Sequence, residues 1–128
     1  MLKLPTVILH HQVHTGSHYD WLWLDPVSRD HLTGFRIPCP PNQWAERQSF
    51  LAEPLEPHRL AYLTYQGKVS GRRGRVLQVA KGYVLGHAIG DVGWDWQIQV
   101  TGMQTDIQVL RVRILPESNV RWRVKFFD

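Results

Sequence analysis

Val109-Leu110-Arg111-Val112-Arg113-Ile114 changes character residue by residue. A β-strand turns successive side chains to opposite faces, so Arg111 and Arg113 fall on one side and Leu110, Val112 and Ile114 on the other. That period of two fits a strand with one face in a core and one in water, and it does not fit a helix. Working outward, residues 75–80, 83–87, 95–101, 107–114 and 120–127 read as five short strands. Lys81-Gly82, Gly102 and Pro116-Glu117-Ser118-Asn119 separate them as turns. Towards the N-terminus, Val7-Ile8-Leu9 reads as a short strand. Residues 19–24 follow the turn chemistry of Thr15-Gly16-Ser17, and residues 34–37 end at a run holding Pro38, Pro40 and Pro41. Residues 60–65 read as one more strand, 67–74 as a glycine-rich loop, and 42–51 as a helix. The sum predicts a mainly β fold: a small closed or partly open β-barrel with one or two short helices, residues 1–128 forming one domain.

Composition supports a packed core. Of 128 residues, 43% are apolar, enough to fill one. The six tryptophans read first as large core fillers. A net charge of +4 and a pI near 9.6 favour an anionic partner, of which nucleic acid is the commonest. Cys39 is the single cysteine, so an intrachain disulfide is excluded and a thiolate zinc site is too. The start of the chain lacks the pattern of a signal peptide, and no run approaches 18 apolar residues. The expectation is a cytoplasmic protein with no membrane partner.

The chemistry concentrates in His10-His11-Gln12-Val13-His14-Thr15-Gly16-Ser17-His18-Tyr19-Asp20, which holds four of the seven histidines. His18 and Asp20, two apart on a strand, share a face. Across a hairpin turn, His11 can meet them, giving two imidazoles and a carboxylate with positions left open, as catalytic metal sites have. The spacing leaves a second reading open, a solvated histidine-rich loop. Alternation turns His10 away from His11, and His14 falls at the turn. A second cluster, His58-Arg59-Leu60-Ala61-Tyr62, decides nothing by itself.

Together the two clusters resemble the 3′-phosphoesterase module of bacterial DNA ligase D. That family carries a strand ending in His, a short turn and then His-Tyr-Asp. Later come a His with a Tyr four residues on, an aromatic-Glu-Gly step and a glycine-containing loop. The corresponding stretches are His11 to Asp20, His58 to Tyr62, and Tyr65-Gln66-Gly67-Lys68-Val69-Ser70-Gly71. Between the clusters, Gly34-Phe35-Arg36-Ile37-Pro38 matches the family's strand ending in proline. Order and rough spacing agree over about residues 5–85.

The resemblance implies a divalent metal, Mn²⁺ first with Zn²⁺ or another transition metal as alternatives, held by His11, His18 and Asp20. It implies release of a phosphate or a terminal ribonucleoside from DNA 3′ ends in break repair, with separate ligase or polymerase chains as partners. His58 would handle a proton and Tyr62 would hydrogen-bond the phosphate. Arg36 or Arg59 would neutralise charge, and Lys68, Arg72, Arg73 and Arg75 would hold the nucleic-acid backbone. Two departures stand out. The family's arginine two residues after the aspartate is Leu22 here, and the glutamate before the loop glycine is Gln66. A catalytically impaired nucleic-acid-binding module is therefore the alternative function. A protein-interaction domain with incidental histidines ranks third.

Overall fold

A computed structural model of the chain describes residues 2–89, 93–102 and 107–127. Nine strands run in one antiparallel sheet: β1 (Leu2–Val13), β2 (Gly16–Leu24), β3 (Leu32–Ile37), β4 (Ser49–Pro54), β5 (Gly67–Lys68), β6 (Arg75–Ile89), β7 (Gly93–Gly102), β8 (Ile107–Pro116) and β9 (Trp122–Phe127). Their order is β1-β2-β3-β4-β9-β8-β7-β6, and β6 pairs back onto β1 from Leu2↔Gly86 to Gln12↔Arg75. Eight strands thus close a barrel, which leaves no long edge unpaired. The two-residue β5 lies outside it on Val76 and Arg75 of β6.

Alternation places the core as the sequence indicates. Leu110, Val112 and Ile114 of β8 point inward, with Trp96, Ile98 and Val100 of β7 and Val124 and Phe126 of β9. Trp21, Trp23, Trp44 and Trp96 are wholly buried, and their rings meet one another and Phe35 edge-on or tilted. A polar thread also ties β1 to β2. Trp21 Nε1 donates to Thr6 Oγ1 (2.9 Å), and Thr6 Oγ1 donates to the Leu22 carbonyl (2.6 Å).

Three local expectations are corrected. Residues 42–51 do not form one helix. A 3₁₀ turn at Pro41–Gln43 leads into a single α turn, α1 (Trp44–Arg47), which ends at Gln48 with φ 67°. Residues 49–54 then form β4, because Phe50 and Ala52 alternate into the barrel and pair with β9. Trp44 explains the short helix. Its ring closes one end of the barrel against Phe126 (4.8 Å) and Trp21 (5.1 Å), and its Nε1 donates to the Cys39 carbonyl.

Residues 60–65 are not a strand either. Leu60–Leu63 is a 3₁₀ turn lying over the outside of the barrel. Tyr62 and Leu63 pack with Leu55 and Val69 on a second apolar cluster of Val7, Leu9, Leu22, Leu32 and Val76. Burying each of these aliphatic side chains contributes about 1.5–3 kcal/mol, which holds the 55–69 segment against β1–β3. Lys81-Gly82 is not a turn: β6 runs straight through it. A Cβ on Gly82 would lie 1.8 Å from the Gln99 carbonyl oxygen, so the glycine serves a close β6–β7 approach. No helix among the described residues is long and apolar enough to cross a membrane.

Candidate metal centre

The β1–β2 hairpin builds the site. Its register pairs His11 with His18 and Leu9 with Asp20. His11, His18 and Asp20 then all project from the outer face, opposite to Trp21 and Trp23. Inward of this trio, Leu9 and Leu22 continue the same face as buried apolar floor. The neighbouring His10 turns to the other face and stacks on Tyr19 (4.8 Å), and His14 is exposed at the two-residue turn.

His11 Nδ1 lies 3.1 Å from His18 Nε2 and 3.7 Å from Asp20 Oδ2, and His18 Nε2 lies 3.2 Å from Asp20 Oδ1. The last contact is close enough for charge pairing but off hydrogen-bond geometry, so Asp20 Oδ1 is buried with no hydrogen-bond partner among the described residues. Such a buried carboxylate oxygen needs a proton donor or a cation. With one atom taken from each residue, the donors lie within 4.8 Å of one another, close enough for one ion to gather them with small side-chain adjustments. The donor set therefore fits a divalent metal of the Mn or Zn type.

Protonation favours the same outcome. His11 Nε2 faces the Arg73 carbonyl at 2.5 Å, and a carbonyl only accepts, so the proton of the neutral ring sits on Nε2. That leaves Nδ1 as a lone pair aimed at His18 and Asp20. Orientation of a ligating histidine by a backbone carbonyl is a recurrent second layer of metal sites. Burial lowers the pKa of His18 below the ordinary histidine value. The Asp20 carboxylate opposes this, while the positive charge of Arg36, and that of His11 whenever its ring is protonated, adds to it. A neutral ring at pH 7 is the form that binds metal.

A cavity of about 420 Å³ opens beside the trio, between the hairpin and the 55–73 segment. His11, His18, Asp20, Arg36, His58, Arg59, Tyr62 and Arg73 all contribute to its wall, so the structure brings both sequence clusters to one space. Arg36 stands opposite Asp20 in the β2–β3 register. His58 is anchored by a backbone bridge to Leu32, and its Nδ1–H donates to the Glu56 carbonyl (2.8 Å), leaving Nε2 to hold or give a proton. Tyr62 meets the His58 ring edge-on at 5.7 Å.

The basic loop divides. Arg73 lines the cavity, but its guanidinium is engaged by Ser70, Nε donating to the carbonyl (2.7 Å) and a terminal nitrogen to Oγ (3.0 Å). Lys68, Arg72 and Arg75 are exposed and are not part of the cavity wall. Gln66, at the family's glutamate position, is a structural tie. Its Oε1 accepts the Gln78 backbone N–H (2.9 Å), and Gln78 Nε2 returns a bond to the Leu63 carbonyl. Leu22, at the family's arginine position, is wholly buried in the outer cluster.

Sequence reasoning missed the Arg73 carbonyl, the Glu56 carbonyl and Ser70. The two carbonyls are backbone groups and carry no residue signature. No family model matches the chain, and no curated protein matches it. Function is therefore read from the site itself.

Proposed function

We propose that the chain is a metal-dependent phosphoesterase acting on 3′ ends of nucleic acid. The observation that carries the reading is the convergence of His11, His18 and Asp20 on the wall of a cavity that also holds Arg36, Arg59, His58 and Tyr62. His11, His18 and Asp20 would hold the ion, and the Arg36 and Arg59 guanidiniums, with no ion-pair partner among the described residues, favour a phosphate. A bound divalent ion supplies Lewis-acid polarisation of a phosphoryl oxygen and lowers the pKa of water.

The chain's own groups do the rest. Arg36 and Arg59 bind the phosphate oxygens and neutralise the charge that grows as water attacks phosphorus. The Tyr62 hydroxyl donates a hydrogen bond to a phosphate oxygen. As the bond from phosphorus to O3′ breaks, protonated His58 gives its Nε2 proton to O3′, leaving a 3′-hydroxyl and inorganic phosphate. Leu9, Leu22 and Val76 keep the floor apolar, which strengthens the electrostatics above it. The family's missing arginine is replaced in this reading by Arg36, on the adjoining strand.

The test is release of phosphate from a labelled primer-template with a 3′-phosphate, with and without Mn²⁺. His18→Ala abolishes the metal-dependent release; unchanged release removes His18 from the site. Burial of Leu22 where the resembled family carries arginine favours one second reading, a binding module without turnover. It predicts oligonucleotide binding that persists in EDTA with no phosphate released by the wild type.

A further inference from the structure

The arginine alternation in β8 has no part in the metal centre, yet with β9 it builds a basic face on the barrel. Arg111 and Arg113 of β8 point outward, and so do Arg123 and Lys125 of β9. The register sets Arg113 directly opposite Lys125 and Arg111 opposite Phe127. Like charges directly opposed across a sheet destabilise it. The relief is partial. Asp95 is shared between Arg113 (3.3 Å) and Arg111 (3.9 Å), Glu117 takes Arg123 (3.1 Å), and Lys125 has no ion-pair partner among the described residues.

This stripe connects to the metal cavity. Just before β9, Arg121 bonds Glu53 of β4 (2.9 Å), and Glu53 stands opposite Arg36 of β3. A second cavity of about 410 Å³ lies between Arg36 and Arg121, walled also by His18, Tyr19, Leu51 and Glu53. It shares His18 and Arg36 with the first. Arg36 of β3 and Arg121 before β9 flank Glu53 of β4, and beyond it the cations continue on β9 and β8. An elongated set of cations that leads away from the metal cavity suits a chain polymer of phosphates better than a flat anionic surface.

We propose that the outer face of β9 and β8, with Arg111, Arg113, Arg121, Arg123 and Lys125, is the backbone-binding track for the nucleic-acid strand whose 3′ end enters the metal cavity. The track rests on nucleic acid being the anionic partner, as above, but not on turnover. Asp95 balances Arg113 only in part, Lys125 opposite it has no ion-pair partner among the described residues, and phosphates of the strand would complete the charge balance.

The test is anisotropy of a labelled single-stranded oligonucleotide with the whole chain in EDTA, over a series of KCl concentrations. EDTA removes any metal, so a failed phosphoesterase assay and a failed track are separate results. Arg113→Gln/Lys125→Gln weakens binding at least about fivefold and flattens the salt slope by roughly 1.4, the value for two contacts on a single strand. Its melting temperature stays close to that of the wild type, because loss of the Arg113–Lys125 repulsion is offset by loss of the exposed Arg113–Asp95 pair. Lys68→Gln/Arg72→Gln in the loop changes both quantities less. If the double variant fails to fold, Lys125→Gln alone gives about half the slope change. Wild-type affinity and slope in a folded double variant overturn the track, as does a larger loss from the loop pair. Binding of phosphatidylserine vesicles in preference to the oligonucleotide, lost in the double variant, overturns it in favour of a lipid surface.

Discussion

Asp25 is a carboxylate held by four hydrogen bonds. Its Oδ2 accepts from the backbone N–H of Ser28 (2.9 Å) and Val27 (3.1 Å) and from Ser28 Oγ, and its Oδ1 accepts from Thr33 Oγ1 (2.8 Å). Burial pushes the carboxyl up, but these bonds outweigh it and hold the pKa below the ordinary aspartate value. A carboxyl depressed in the folded state adds stability above its unfolded pKa, and that stability is lost as pH falls through the folded value. Asp25→Asn therefore lowers the melting temperature at pH 7, and the gap to wild type closes below about pH 4. Parallel melting curves across that range would contradict the assignment. At the site the decisive single groups differ in kind. His18 and Asp20 would supply ligand atoms to the proposed metal, whereas Arg73 contributes a carbonyl that fixes which nitrogen of His11 bears the proton.

At the scale of elements, the site depends on how the 67–74 loop is held. Gly74 has φ +84°, and a Cβ there would lie 1.9 Å from the Gln12 backbone oxygen. Gly74→Ala costs about 1–3 kcal/mol of stability. It also displaces the adjoining Arg73 carbonyl from His11, which weakens metal affinity by about 10–100-fold. Chemical denaturation and an Mn²⁺ titration on the same variant check both; unchanged affinity would separate the loop from the site. Strand alternation made most of this framework legible. The β1–β2 hairpin, and with it the shared face of His11, His18 and Asp20, follows from period two and a turn signal. What remained hidden needed contacts far apart in sequence. The pattern of Leu60, Tyr62 and Leu63 suits a strand or a 3₁₀ turn, and only the outer cluster on β1–β3 decides between them. Helix propensity over 42–51 was overridden where Phe50 and Ala52 pair into the barrel. Gly82 reads as a turn signal but marks a close strand approach.

Over the whole molecule, a closed barrel with an aromatic interior holds the hairpin rigid, so that an outward site stands on strands rather than loops. Trp23 is wholly buried among Trp21, Phe35, Trp94 and Trp96, and its Nε1 has no hydrogen-bond partner among the described residues. Trp23→Ala costs about 3–5 kcal/mol in a denaturant melt, while Trp23→Phe costs much less because no bond is lost. Equal costs would mean that the indole nitrogen is satisfied after all. The proposed chemistry requires the outer face of this barrel to grip a cation. Calorimetric titration of the folded chain with Mn²⁺ tests that directly. One ion binds per chain, and Asp20→Asn, with the barrel's melting transition intact, loses that binding. No uptake by the wild type, or equal uptake by the folded variant, would contradict it.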